Sequence, residues 1–217
     1  MNKKLIETKK RKTPSGPLRE KERTKLKMLA SVGRVLKKKG YSGLNIATIA
    51  ADCKVDRKLI YTYFGTLDNL IETYIVQQDY WKTKAKPQIE ELILQNEVSK
   101  EEMISLLNGQ FNVVYNDQTL QKILQWELSE SHPQLRKLAD SREEIGELLI
   151  ERFIKSYSNK EIDLRAILAI QTAGLYYLAL HARTNGSTFC GIDLNQNDGR
   201  QRIEKAINTI FKDLIKE

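Results

Sequence analysis

The chain has 217 residues, 41% hydrophobic and 29% charged, which suffices for one large domain or a small one joined to a larger one. Its formal charge of +8 is segregated: residues 1–84 hold 20 Lys/Arg against 8 Asp/Glu and residues 85–217 hold 16 against 20, the distribution expected of a basic, phosphate-binding module fused to a mildly acidic one. Two distant cysteines indicate neither a disulfide framework nor a zinc site, and the absence of a signal-peptide core or of roughly 18 consecutive apolar residues argues for a cytoplasmic protein with no membrane partner.

Residues 1–22 are dominated by Lys, Arg, Thr and Glu, and Pro14, Gly16 and Pro17 interrupt any helical register, so the stretch reads as a basic mobile arm. Its cluster Lys9, Lys10, Arg11 and Lys12 either follows a minor groove or phosphate track or is a solvated tail. From Glu22 onward the period is helical, with no sustained strand alternation. Met28, Leu29, Val32, Val35 and Leu36 fall on one face of a first helix, Lys27, Arg34 and Lys38 look outward, and Gly40 stops it.

Between Leu44 and Phe64 two short helical patterns are separated by too few residues for anything but a tight turn. Ile46, Ile49 and Ala50 supply the inner face of the first, and Val55, Ile60 and Phe64 supply the turn plug and inner face of the second. That is the layout of a helix-turn-helix, which needs a small residue at Ala50, where the helices cross, and a filler at Val55. Cys53 reads as a small hydrophobe on the inner side of the turn. Asp56 is placed to cap the second helix, leaving Arg57, Lys58, Tyr61, Thr62 and Tyr63 outward in a set that suits a groove and its phosphates.

Further along, Leu70, Ile71, Tyr74, Ile75 and Trp81 form a stripe limited by Pro87. Met103, Ile104, Leu107, Phe111, Val114 and Tyr115 form another, and Leu120, Ile123, Leu124 and Leu128 a third, before a break at His132 and Pro133. Between Leu164 and Ala182 apolar residues cover most of the helix circumference, which requires a central position or neighbours beyond the chain. Residues 186–199 read as a turn-rich loop, and Ile203, Ile207, Ile210, Phe211 and Leu214 stripe a terminal helix.

The stretch GYSGLNIATIAADCKVDRKLIYTYFGTLDNL resembles the N-terminal signature of TetR/AcrR-type transcriptional regulators. The matching residues are Gly40-Tyr41, Ile49-Ala50, Val55 and Ile60-Tyr61, followed by Phe64 and Leu70, and the likeness covers roughly residues 23–75. It implies an all-α protein with an N-terminal three-helix DNA-binding domain, residues 23–84 including a linking helix, and a helical effector-binding and dimerisation domain, residues 85–217. It also implies a homodimer on a palindromic double-stranded DNA operator, a repressor released by a small-molecule effector, and no cofactor or metal.

By this resemblance Tyr61 and Tyr63 contact the DNA backbone, Tyr61 also a thymine methyl, and Arg57, Lys58 and Thr62 face base edges or phosphates, with Arg57 foremost for base reading. The bland alternatives are a packed Tyr61 and a solvated Lys58. Lys54 stands where the family has Gly at a left-handed position, and offers an extra phosphate contact. Asp56 replaces a Ser cap. Leu67 replaces a phosphate-binding lysine, which moves that contact to Thr66 and the helix N–H groups.

Phe111, Tyr115, Trp126, Gln171, Tyr176, Tyr177 and His181 are candidates for the effector pocket, against a reading of each as core packing. Leu175, Leu178, Ile203, Ile207 and Phe211 are candidates for a four-helix dimer interface. With two histidines, no nucleophile elbow and no Gly-rich phosphate loop, catalysis is not expected. Two other readings stand beside this one: a nonspecific nucleic-acid-coating protein, which has no need of a large acidic domain, and a regulator whose second domain only dimerises.

Overall fold

The computed structural model describes residues 16–157, 162–184, 186 and 188–214. Most of the predicted arm, including Lys9, Lys10, Arg11 and Lys12, lies outside them. Its end does not, and there the reading needs correction: helix α1 spans Pro17–Lys39, so residues 17–22 are helix. Pro17 starts the helix instead of breaking it, because at the first position its missing N–H is one of the donors no helix can pair and its fixed φ is already helical. Lys37, Lys38 and Lys39 sit in the last turn, where the helix dipole favours cations, and Gly40 closes it at φ 70°.

Helices α2 (Ile46–Cys53), α3 (Arg57–Phe64) and α4 (Leu67–Gln78) follow. Each has a polar cap: Asn45, Asp56 and Thr66 accept hydrogen bonds from the N–H groups of Thr48, Lys58 and Asn69. Between α2 and α3 the chain reverses at Lys54, which adopts the left-handed conformation, φ 55° and ψ 49°. The Val55 N–H then reaches the Ala50 carbonyl at 3.1 Å and seals the turn. Helix α4 ends at Gln78, so the predicted stripe is cut before Trp81, which lies in the following turn, and Pro87 opens the next helix.

The remaining helices are α5 (Lys86–Leu94), α6 (Lys100–Asn116), α7 (Gln118–Ser129), α8 (Pro133–Ser156), α9 (Leu164–Thr184) and α10 (Asn197–Leu214). Ser99 and Glu102 form a reciprocal capping box on α6, and the Ser99 backbone N–H, followed by its hydroxyl, holds the Glu102 carboxyl below the usual range. The loop predicted at 186–199 contains a two-residue hairpin, β1 (Thr188–Phe189) against β2 (Ile192–Asp193). Its turn residues Cys190 and Gly191 both have positive φ, as a two-residue hairpin loop requires.

The apolar residues gather in two clusters. One joins Met28, Val32, Leu36, Ile49, Ile60, Leu70 and Ile75 to Ile123, Trp126, Leu135 and Leu138. Helix α7 and the start of α8, which the sequence assigns to the C-terminal domain, therefore complete the N-terminal core. The other cluster holds α5, α6, α9, α10 and the later part of α8 around Phe111 and Phe153. Leu128 leaves its predicted stripe and is 79% exposed at the end of α7.

A buried ion triad ties the two regions together. Asp79, wholly buried at the end of α4, accepts from Arg142 Nε of α8 at 2.7 Å and from the Lys82 N–H at 2.9 Å. The same guanidinium donates to Glu127 of α7 at 2.9 Å. Burial disfavours charge on Arg142, and Asp79 and Glu127 more than offset it, holding the guanidinium protonated.

Removing one member of such a cluster leaves a buried charge unpaired. Arg142→Ala is therefore expected to lower unfolding free energy by about 3 to 5 kcal/mol, read from the urea midpoint. At the turn the effect has the opposite sign: Lys54→Gly relieves a left-handed non-glycine residue and is expected to raise stability by about 1 kcal/mol in the same measurement.

Candidate nucleic-acid interface

Helix α3 is eight residues long and buries only Ile60 completely. Four features hold it: Ile60 against the N-terminal core, the Asp56 cap, the sealed turn before it, and Gly65 after it at φ 78°, whose N–H bonds the Tyr61 carbonyl at 2.8 Å. Helix α2 behind it is tied to α1 by the Ser31 hydroxyl, which donates to the Ile49 carbonyl at 3.0 Å, and by Arg34 on Asp52 at 2.6 Å. Arg34, then Ser31, holds the Asp52 carboxyl below its ordinary range.

What α3 turns outward follows from that anchoring. Arg57, Lys58, Tyr61 and Thr62 are exposed, Tyr61 at 54%, so the packed alternative for Tyr61 does not hold. Lys54 is exposed at the turn and Thr66 at the far corner, which brings the predicted interface residues onto the turn, α3 and the α3–α4 corner.

Hydrogen bonding sorts the two threonines. Thr62 donates its hydroxyl hydrogen to the Lys58 carbonyl at 2.9 Å, so outward it offers an acceptor and a methyl, which suit base edges and not phosphate oxygens. Thr66 accepts from the Asn69 N–H at 3.1 Å and keeps its hydrogen for an acceptor such as phosphate. Tyr63 is only half-exposed: it packs against the N-terminal core, and Lys21 of α1 lies over its ring with Nζ 5.7 Å from the centroid. Sequence reasoning placed Lys21 in the arm; only the helical start of α1 brings it here.

The candidate pocket residues separate into three places. Phe111 and Tyr115 pack together in the C-terminal core with ring centroids 6.4 Å apart, and Tyr176 joins them by accepting a hydrogen bond from Gln110. Burial pushes the Tyr176 hydroxyl up, so it stays protonated. Gln171 is half-buried, and neither of its side-chain polar atoms has a partner among the described residues.

Trp126 lies in the other core, stacked 5.9 Å from Tyr41 and edge-on to His132 at 4.7 Å, and does not join the Phe111 group. Tyr177 and His181 stack at 5.7 Å on the outer side of α9, with Phe189 of the hairpin edge-on to both.

The candidate dimer residues also divide. Leu175, Ile207 and Phe211 are buried in the chain's own core, Phe211 edge-on to Phe153 at 5.8 Å, and so present nothing outward. Leu178 and Ile203 are half-buried against the same core. The outward stripe of α9 consists instead of Ala166, Ala169, Ile170, Ala173 and Tyr177, with Ile170 at 73% exposure.

The Asp79, Glu127 and Arg142 triad gave no sequence signal, since its members come from three separate helical regions with no shared spacing. Among the described residues no group of three or more His, Cys, Asp or Glu is placed to hold a metal, and no helix is long and apolar enough to cross a membrane.

Solved structures share this architecture. The fatty acid degradation regulator FadR from Bacillus halodurans superposes with a TM-score of 0.61 at 18% identity, over 94% of this chain and 100% of that one. NalD of Pseudomonas aeruginosa, the secondary repressor of the MexAB-OprM multidrug efflux pump, gives 0.59 at 15% identity over 88% and 96%. FadR from Bacillus subtilis in complex with stearoyl-CoA gives 0.55 at 17% identity over 88% and 97%. At these identities the likeness is one of fold, and no curated protein matches the chain in sequence. Residues 33–74, running from within α1 through α2 and α3 into α4, match the family described as "Bacterial regulatory proteins, tetR family". The N-terminal region of the chain is therefore a DNA-binding domain of the tetR family of bacterial regulatory proteins.

Proposed function

We propose that the protein is a repressor, not an enzyme, that binds a palindromic operator as a homodimer and leaves it when a small molecule occupies the C-terminal bundle. The observation that carries the DNA reading is α3, capped and held from behind by Ile60, with Arg57, Lys58, Tyr61 and Thr62 all exposed. Arg57 reads a base edge, Lys58, Lys54 and Thr66 take phosphates, and Tyr61 lies along the backbone and a thymine methyl. Tyr63 contributes a backbone contact at the end of the helix.

Pairing is supported by α9. A stripe of three alanines with Ile170 and Tyr177 admits close approach of a second helix and is costly to leave in water. Two-fold pairing repeats α3 once per subunit and calls for an operator with two matching half-sites.

The effector reading rests on the bundle interior, where the Gln171 amide and the Asn108 side-chain oxygen are shielded from solvent without a partner among the described residues. Unpaired buried polar atoms of this kind cost about 1 to 3 kcal/mol each, which a ligand supplying hydrogen bonds would offset. Phe111, Tyr115 and Tyr176 are the aromatic residues of the same C-terminal cluster. The triad at the end of α4 gives ligand binding a route to the DNA-reading domain, because Arg142 of α8 holds Asp79 at the end of α4 and Glu127 of α7. The effector must favour one arrangement over the other for release to follow.

Duplexes selected from a random library by repeated binding and amplification should contain an inverted repeat. On such a duplex Arg57→Ala or Tyr61→Ala should abolish specific binding while leaving a folded dimer, and an unchanged gel-shift midpoint would remove the residue from the interface. Ile170→Arg should shift sedimentation to the monomer with helix content intact and weaken binding to the full repeat far more than to a single half-site. A variant that stays dimeric would place the partner surface elsewhere.

A further inference from the structure

The reading helix has an electrostatic gap on one side. From Leu59 to Trp81 the sequence contains no Lys or Arg, and it carries Asp68, Glu72 and Asp79. The second half of α3 and all of α4 thus lack a cation of their own, and Leu67 at the start of α4 packs against the N-terminal core. A helix entering a groove has phosphates at both of its ends, and the cations Lys54 and Lys58 serve only the first.

The early turns of α1 bring charge to the other end. Residues 17–23 hold Arg19, Lys21 and Arg23 against Glu20 and Glu22. The two acids are committed, Glu20 to Arg23 at 4.0 Å and Glu22 to Lys25 at 3.4 Å. Lys21 is exposed and has no ion-pair partner among the described residues, because both acids stand next to it in sequence and so on other faces of the helix. Its ammonium lies instead over the ring of Tyr63, near the C-terminal end of α3. The attraction of a cation to a ring face holds a long side chain in one region without neutralising its charge.

We propose that Lys21 is a phosphate-binding residue of the DNA interface, carried to the C-terminal end of the reading helix by the first turns of α1 and steadied there by Tyr63. This rests on the reading of α3 as the helix that enters DNA. Lysine acts here as a point charge, so the contact adds affinity equally on all sequences and does not discriminate between bases.

The test compares wild type with Lys21→Ala and Lys21→Arg on a random-sequence duplex and on the duplex selected by wild type, across a salt series. Lys21→Ala should melt with wild type and weaken binding to both duplexes by the same factor, and its slope of log affinity against log salt should be shallower by about 0.9. Its deficit should accordingly shrink about threefold between about 50 and about 200 mM salt. Lys21→Arg should restore the slope.

An unchanged slope overturns the proposal, and so does a loss confined to the selected duplex, which would mean base reading. If wild type binds and Arg57→Ala abolishes specificity while Lys21→Ala behaves as wild type, Lys21 falls and the DNA-reading assignment stands. If wild type binds neither duplex, both fall.

Discussion

Helix α3 is too short to persist alone, since isolated helices below about 12 residues are marginal in water. Its existence depends on packing against the N-terminal core, centred on the fully buried Ile60, and on the left-handed turn at Lys54 that sets the angle of approach. Leu59, Ile60, Tyr63 and Phe64 face the core, and the other half of α3, Arg57, Lys58, Tyr61 and Thr62, faces outward. The outward surface is sensitive to its support: Ser31 on the Ile49 carbonyl and Arg34 on Asp52 fix α2 behind α3, and so decide where the α3 side chains stand.

The support does not end within the N-terminal domain. Ile123, Trp126, Leu135 and Leu138 belong to helices that also border the C-terminal core, and they fill the space under α1 and α4. The cap of α4 is a buried carboxylate whose partner sits on α8 and whose partner's partner sits on α7. Water cannot stand in for these contacts, so a shift of α7 or α8 must be followed by α4 or be opposed by an unpaired charge. The short N-terminal module is thus coupled to the rest of the molecule by packing and by one ion cluster.

Helix α9 illustrates how a single apolar segment serves two purposes. Leu164, Leu168, Leu175 and Ala179 fill the chain's own core, while Ala166, Ala169, Ile170, Ala173 and Tyr177 stand outside it. The nearly continuous apolar character visible in the sequence is the sum of these two faces. Candidates picked from it by hydrophobicity alone mixed them, and so Leu175, together with Ile207 and Phe211 of α10, was expected at a partner surface when each is already consumed inside.

Local order was legible from residues in succession. The first-helix stripe, the stop at Gly40, the cap at Asp56 and the break at His132 and Pro133 each express a preference of neighbouring residues for one backbone geometry. The early start of α1 belongs to the same class but reads two ways, because proline interrupts a helix inside it and initiates one at its first position.

Only the tertiary structure decided which distant groups meet: Lys21 over Tyr63, Asp79 with Arg142 and Glu127, Trp126 in the N-terminal core and away from Phe111. Periodicity states that a face is apolar and is silent on its partner. The partner is set by how helices pack in three dimensions, and a charge pair between separate helices leaves no trace in the spacing of residues along the chain.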